Sequence, residues 1–93
     1  MTSLHITHTV NDFDEWLTTF NSFADFRTQG GVTSTTIRHA IDNANVVAVD
    51  LEFASADQAR SFLKHLESEI WPNSPHFSGT PTTVLLESVG ATV

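Results

Sequence analysis

The sequence predicts an α+β sandwich ordered strand, helix, strand, strand, helix, strand, with one four-stranded antiparallel sheet and both helices on one of its faces. Three observations carry this prediction. Four segments alternate apolar and polar side chains at period two, the mark of half-buried strands, and two others repeat apolar residues at helical spacing. At 93 residues the chain has room for one domain only, and these six elements use nearly all of it.

Residues 3–10 form the first strand, with Leu4, Ile6, His8 and Val10 pointing one way and His5, Thr7 and Thr9 the other. Asn11 or Asp12 then caps a helix whose first turn holds Asp14 and Glu15, placed to favour its positive end. Phe13, Trp16, Leu17, Phe20, Phe23 and Ala24 give that helix an aromatic stripe, and Gly30-Gly31 ends it.

The second strand covers 32–41, with Thr35, Ile37, His39 and Ile41 on one side, and Asp42-Asn43-Ala44-Asn45 has the composition of a hairpin turn. The third strand carries the strongest alternation, Val47, Val49, Leu51 and Phe53 against Val46, Ala48, Asp50 and Glu52. Ser55 with Gln58 makes a capping box for the second helix, whose buried stripe is Ala59, Phe62, Leu63 and Leu66. The last strand spans 82–88, with Val84 and Leu86 on one face and Leu85 and Glu87 on the other. The domain is expected over residues 1–88 and a loose tail over 89–93. Between the second helix and the last strand, residues 67–80 form a long connection with Ile70, Trp71, His76 and Phe77, cargo unusual for a solvated loop.

Composition narrows the function. Eleven Asp and Glu against four Lys and Arg give a net charge of −7, and Arg27, Arg38, Arg60 and Lys64 are scattered. No basic stripe can track phosphates, so neither nucleic acid nor an anionic membrane is an expected partner. The absence of cysteine excludes disulfides, thiolate metal sites and thiol catalysis, and fits a cytoplasmic location. No signal peptide or membrane span is expected. So small a chain without disulfides is commonly stabilised by oligomerisation.

The element order, the run NDFDEW at the head of the first helix and the run DLEFASADQARSFL from third strand into second helix resemble the dimeric α+β barrel superfamily. That group includes antibiotic-biosynthesis-type monooxygenases, haem-degrading monooxygenases and many uncharacterised actinobacterial proteins. The resemblance implies a ferredoxin-like βαββαβ monomer with sheet order 4-1-3-2, paired sheet to sheet into a barrel with helices outside. It also implies that enzymatic members bind substrate between helices and sheet. Quinone-oxidising members typically hold a phenolic substrate with a Tyr or a late Arg, but this chain has no Tyr and its last basic residue is Lys64. Haem-degrading members use a first-strand Asn with a Trp and His around the second helix. Here His8 stands on the first strand, and Trp71 and His76 are five apart in a Pro-containing segment. No cofactor is therefore expected.

The topology gathers His8, Asp12, Trp16, His39 and the 67–80 segment at one edge of the sheet. His8 and His39 on apolar strand faces read either as core histidines or as general bases. Their strands are separated by the third, about 9–10 Å between backbones, too far for a shared ion held at roughly 2.0–2.1 Å, so no metal site is expected. Trp16, Trp71, His76 and Phe77 are the candidate substrate-binding residues, with Trp71 read as a pocket lid, a partner anchor or a core plug. The opposite sheet face holds His5, Thr7, Arg38, Val46, Ala48, Asp50, Glu52 and Leu85, an acid–base site or a dimer interface. Exposed Val46, Ala48 and Leu85 favour the interface, with Arg38 offsetting the carboxylates.

Two functions follow. One is a homodimer binding a small apolar or aromatic molecule, with monooxygenase-like or cyclase-like chemistry that uses His8 or His39 as base. The other is a non-catalytic dimerisation module whose aromatic stripes are all core.

Overall fold

The alternation of Leu4, Ile6, His8 and Val10 with polar residues produces a central strand with one face fully buried. The computed structural model describes residues 1–73 and 77–90. In it β1 (Thr2–Val10) is followed by α1 (Phe13–Ser22), α2 (Ala24–Gln29), β2 (Val32–Ala40), β3 (Asn43–Phe53), α3 (Ala56–His65) and β4 (Phe77–Glu87). The sheet order is β2-β3-β1-β4 with every pairing antiparallel, the order the resemblance implies. Sheet and helices make a slab 34 × 33 × 20 Å, thin enough for two layers and no third.

The core lies between the layers. β1 supplies Leu4, Ile6 and Val10, β3 supplies Val47, Val49, Leu51 and Phe53, and the helices supply Trp16, Ala59, Phe62 and Leu66. Phe53 and Phe62 meet at 5.5 Å between ring centroids, and Phe26 adds to them at 5.2 Å from Phe62. Gly30 makes this approach possible, because a Cβ there would lie 2.4 Å from Phe62 Cδ1. Gly31 follows at φ +96°, a left-handed position that ends the helix where a side chain would be strained.

Four sequence expectations are corrected. The first helix is two helices, because the chain breaks at Phe23, whose backbone (φ −97°, ψ 17°) leaves the helical region. The apolar phase then slips: Phe23 and Ala24 are exposed, and Phe26 packs in their place. The hairpin turn is Ile41-Asp42, closed by the Ala40–Asn43 pair, so Ile41 is fully exposed at the tip and β3 begins at Asn43.

The 67–80 segment is largely regular. The helix continues as a π-turn over Leu66–Ile70 and a 3₁₀ turn over Trp71–Asn73, and β4 starts at Phe77, five residues before the expected start. Pro81 is tolerated because β4 is an edge strand. Finally, Leu85 and Glu87 pair with Leu4 and Thr2, so they share the helix-covered side. Leu85 packs on the core and leaves the candidate interface, while Val84 and Leu86, opposite His5 and Ser3, take the open face. Of the expected tail, residues 91–93 lie outside the described residues.

Candidate functional site

Antiparallel pairing places His8 of β1 and His39 of β2 opposite the same β3 residue, Val47. The two histidines thus flank Val47 in one row on the helix-covered side. Helix α1 crosses this row because Asp12 caps it, accepting from Glu15 N–H at 3.0 Å. A second tether comes from β3: Asn45 Oδ1 accepts the Phe13 amide at 3.0 Å, and its Nδ2 donates to the Asn11 carbonyl at 3.4 Å. Asn45 therefore fixes the start of the helix over the row, and neither its type nor its spacing marked it beforehand.

The helix lays its aromatic stripe along the histidines. Trp16 meets His8 edge to face at 5.5 Å, and Phe13 meets His39 the same way at 5.1 Å. Phe13 lies 5.9 Å from Trp16, and Trp16 lies 5.0 Å from Phe20. The result is one continuous row, His39–Phe13–Trp16–His8, with Phe20 beyond. Phe13 joins the two histidines; its i, i+3 spacing to Trp16 was the available signal.

The row is asymmetric. His8 is 8% exposed, and burial pushes its imidazole down from 6.5 to about 4, so it is neutral at physiological pH. The β1–β4 ladder slips between Thr7 and Thr9, where β4 runs from Thr82 to Ser78, so His8 sits beside a break in the sheet. His39, by contrast, stands exposed at the edge of β2, not in a greasy cavity, since nothing within the sheet lies beyond that edge. Its Nδ1 is 2.9 Å from the Ala40 carbonyl. A carbonyl only accepts, so Nδ1 carries the proton and Nε2 is left with its lone pair.

Trp71 is half-buried and packs on the core cluster with Ile70. Phe77 opens β4, opposite Val10 of β1. His76 lies outside the described residues. Among the described residues no group of His, Asp and Glu is arranged to hold a metal ion.

At the far end of α1, Arg27 Nη1 donates to the Phe20 carbonyl at 2.5 Å while its guanidinium stacks 3.8 Å over the Phe20 ring. Burial lowers the Arg27 pKa from its ordinary value. This clasp joins α1 to α2 across the break at Phe23.

The open face carries a second polar cluster. Asp50 receives His5 Nδ1 at 2.7 Å on one oxygen and Arg38 Nη2 at 2.6 Å on the other. His5 Nε2 is 3.2 Å from Thr7 Oγ1, and Ser3 Oγ donates to Glu52 at 2.7 Å. Burial pushes the Asp50 carboxyl up, but the hydrogen bonds and charges of His5 and Arg38 outweigh it and hold it below the usual carboxylate range. Val46, Ala48, Thr82, Val84 and Leu86 complete this face, Val84 and Leu86 being 46% and 47% exposed.

The sequence matches no family model and no curated protein. Solved structures share the fold over nearly the whole chain. An antibiotic biosynthesis monooxygenase aligns with a TM-score of 0.72 at 12% identity, covering 97% of this chain and 100% of that one. SnoaB, a cofactor-independent oxygenase from Streptomyces nogalater, gives 0.72 at 17% identity, covering 97% and 94%. A dimeric ferredoxin-like protein from an uncultured marine organism gives 0.67 at 14%, covering 98% and 96%. At these identities the likeness is one of fold: a ferredoxin-like α+β sandwich. No helix among the described residues is long and apolar enough to cross a membrane.

Proposed function

We propose that the chain works in the cytoplasm as a homodimer that binds a small, largely apolar aromatic molecule between α1 and the sheet. Cofactor-independent, monooxygenase-like or cyclase-like turnover there uses His39 as base. The observation that carries this is the His39–Phe13–Trp16–His8 row, which lines aromatic faces between two imidazoles of opposite character. His39 Nε2, with Nδ1–H held by Ala40 O, accepts a proton from a phenol or enol at the sheet edge. His8, neutral, and Trp16 form the apolar inner wall. SnoaB, of the same fold, is a cofactor-independent oxygenase, which supports the reaction class.

Dimerisation covers the open sheet face. The chain exposes 5933 Å², against about 5,300 Å² for an average monomer of its mass, and Val84 and Leu86 stand on that face. A dimeric protein of the same fold supports self-association.

The test is the double variant His8→Ala with His39→Ala, probed with 1-naphthol by tryptophan fluorescence and oxygen uptake. A folded dimer that loses binding or turnover supports the reading; unchanged binding and turnover contradict it. The second reading, a non-catalytic dimeric module, is favoured by the closure of the inner half of the row, where Trp16 is only 4% exposed. Its signature is an intact dimer in which 1-naphthol leaves the fluorescence unchanged at all concentrations.

A further inference from the structure

The Asp50 cluster on the open face has a definite polarity. A carboxylate only accepts, so His5 Nδ1 donates to Asp50, and neutral His5 keeps its lone pair on Nε2, toward which the Thr7 hydroxyl donates. This is the order of a hydroxyl–imidazole–carboxylate relay. The cluster serves as a proton site rather than a nucleophile: Thr7 lies on the central strand β1, which pairs with β3 on one side and, apart from the slip beside His8, with β4 on the other. What the chain of bonds does offer is a place for one additional proton, on His5 Nε2, with Thr7 Oγ1 turning to accept it.

The surroundings of that proton decide its effect. From β3, Asp50 faces His5 directly and Glu52 lies one pair along, bonded to Ser3. From β2, Arg38 reaches the other Asp50 oxygen. From β4, the residue opposite His5 is Val84, which carries no charge. With His5 neutral, two carboxylates stand against one guanidinium; with His5 protonated, charges on the face balance. Arg38 is 64% exposed in the single chain, so water screens this imbalance until the face is covered. Two such faces brought together around a two-fold axis lose that screening and repel unless His5 is charged.

We infer that the open face is a proton-linked interface between two copies of this chain, in which uptake of a proton by His5 of each copy tightens the pair. The inference rests on the homodimer proposed above and specifies its regulation. Since association takes up protons, the dissociation constant falls as pH falls.

Sedimentation equilibrium at pH 6 and pH 8, at one fixed salt concentration, tests this. The wild-type dimer is expected to dissociate on the order of ten-fold more readily at pH 8. His5→Gln keeps a donor for Asp50 without a titratable charge, and is expected to hold the weaker value at both pH values. Glu52→Gln leaves Asp50 and Arg38 balanced with His5 neutral, so proton uptake no longer relieves a repulsion and the tightening towards pH 6 is expected to disappear. A wild-type dimer indifferent to pH, or either variant retaining the full wild-type dependence, overturns the inference and leaves the dimer standing. A monomer under all conditions overturns the dimer itself, and the linkage with it.

Discussion

His8 and His39 stand on either side of Val47, one buried on the central strand β1 and one exposed on the edge strand β2. Equal places in the register thus give two imidazoles unequal chemistry. Position in the sheet, not sequence context, sets the difference: a central strand is covered by α1, while the edge strand meets water on its outer side.

Acid stability follows from His8. Its folded-state pKa of about 4 lies below the ordinary 6.5 of the unfolded chain. Between those values the unfolded chain binds a proton that the folded chain excludes. The stability His8 leaves intact above pH 6.5 is therefore lost as pH falls through that window, by about 3 kcal/mol or roughly 15 °C in Tm. Thermal melts from pH 7 to 4.5 should show this decline, and His8→Leu should flatten it.

The Gly30 contact predicts a sharp steric penalty. Gly30→Ala places a methyl group against the Phe62 ring, at 2.4 Å and 2.7 Å from two of its carbons, and is expected to cost about 2–3 kcal/mol. Urea unfolding measures the loss, and adding Phe62→Leu should recover part of it. Recovery identifies the ring, rather than backbone conformation, as the cause.

Asn45→Ala should release the first turn of α1 from β3. The Phe13 amide loses its acceptor, at an expected cost of about 1–2 kcal/mol. Hydrogen exchange should quicken in the first turn of α1 and stay unchanged in α3.

Much of the fold was legible because burial on one face imposes a strict period. Leu4, Ile6 and Val10 on β1, and Val47 to Phe53 on β3, alternate cleanly, and Ser55 caps α3 as its composition indicates, accepting from the Gln58 amide at 3.3 Å. The misplacements have physical causes. Val84, Leu85 and Leu86 are consecutive and apolar, so alternation cannot say which faces inward; pairing of Leu85 with Leu4 decides it. The break at Phe23 carries no glycine or proline to announce it. Pro72 falls in the segment read as a long connection, yet it sits in a 3₁₀ turn, and β4 begins early enough to include Pro81, which an edge strand tolerates because a missing amide costs little there. At the candidate site, His8, His39 and Trp16 were visible as residue types on the right faces. Phe13's bridging position and Asn45's tether depend on where the helix crosses the sheet, which no local pattern encodes.

The Arg27 clasp predicts that charge alone will not replace a guanidinium. Arg27→Lys keeps the positive charge but loses the planar stack over Phe20 and its directed bond to the Phe20 carbonyl. About 1 kcal/mol of stability is expected to be lost, with exchange quickening around Phe23 where α1 meets α2.

The central claim is that a second copy covers the open face beside a helix-side aromatic site. Native mass spectrometry of the wild type and of Val84→Glu tests it most directly. The account predicts two copies of the 10.2 kDa chain for the wild type and a folded single copy for the variant. A wild type that remains a single copy at about 100 μM, well above a micromolar dissociation constant, would contradict it.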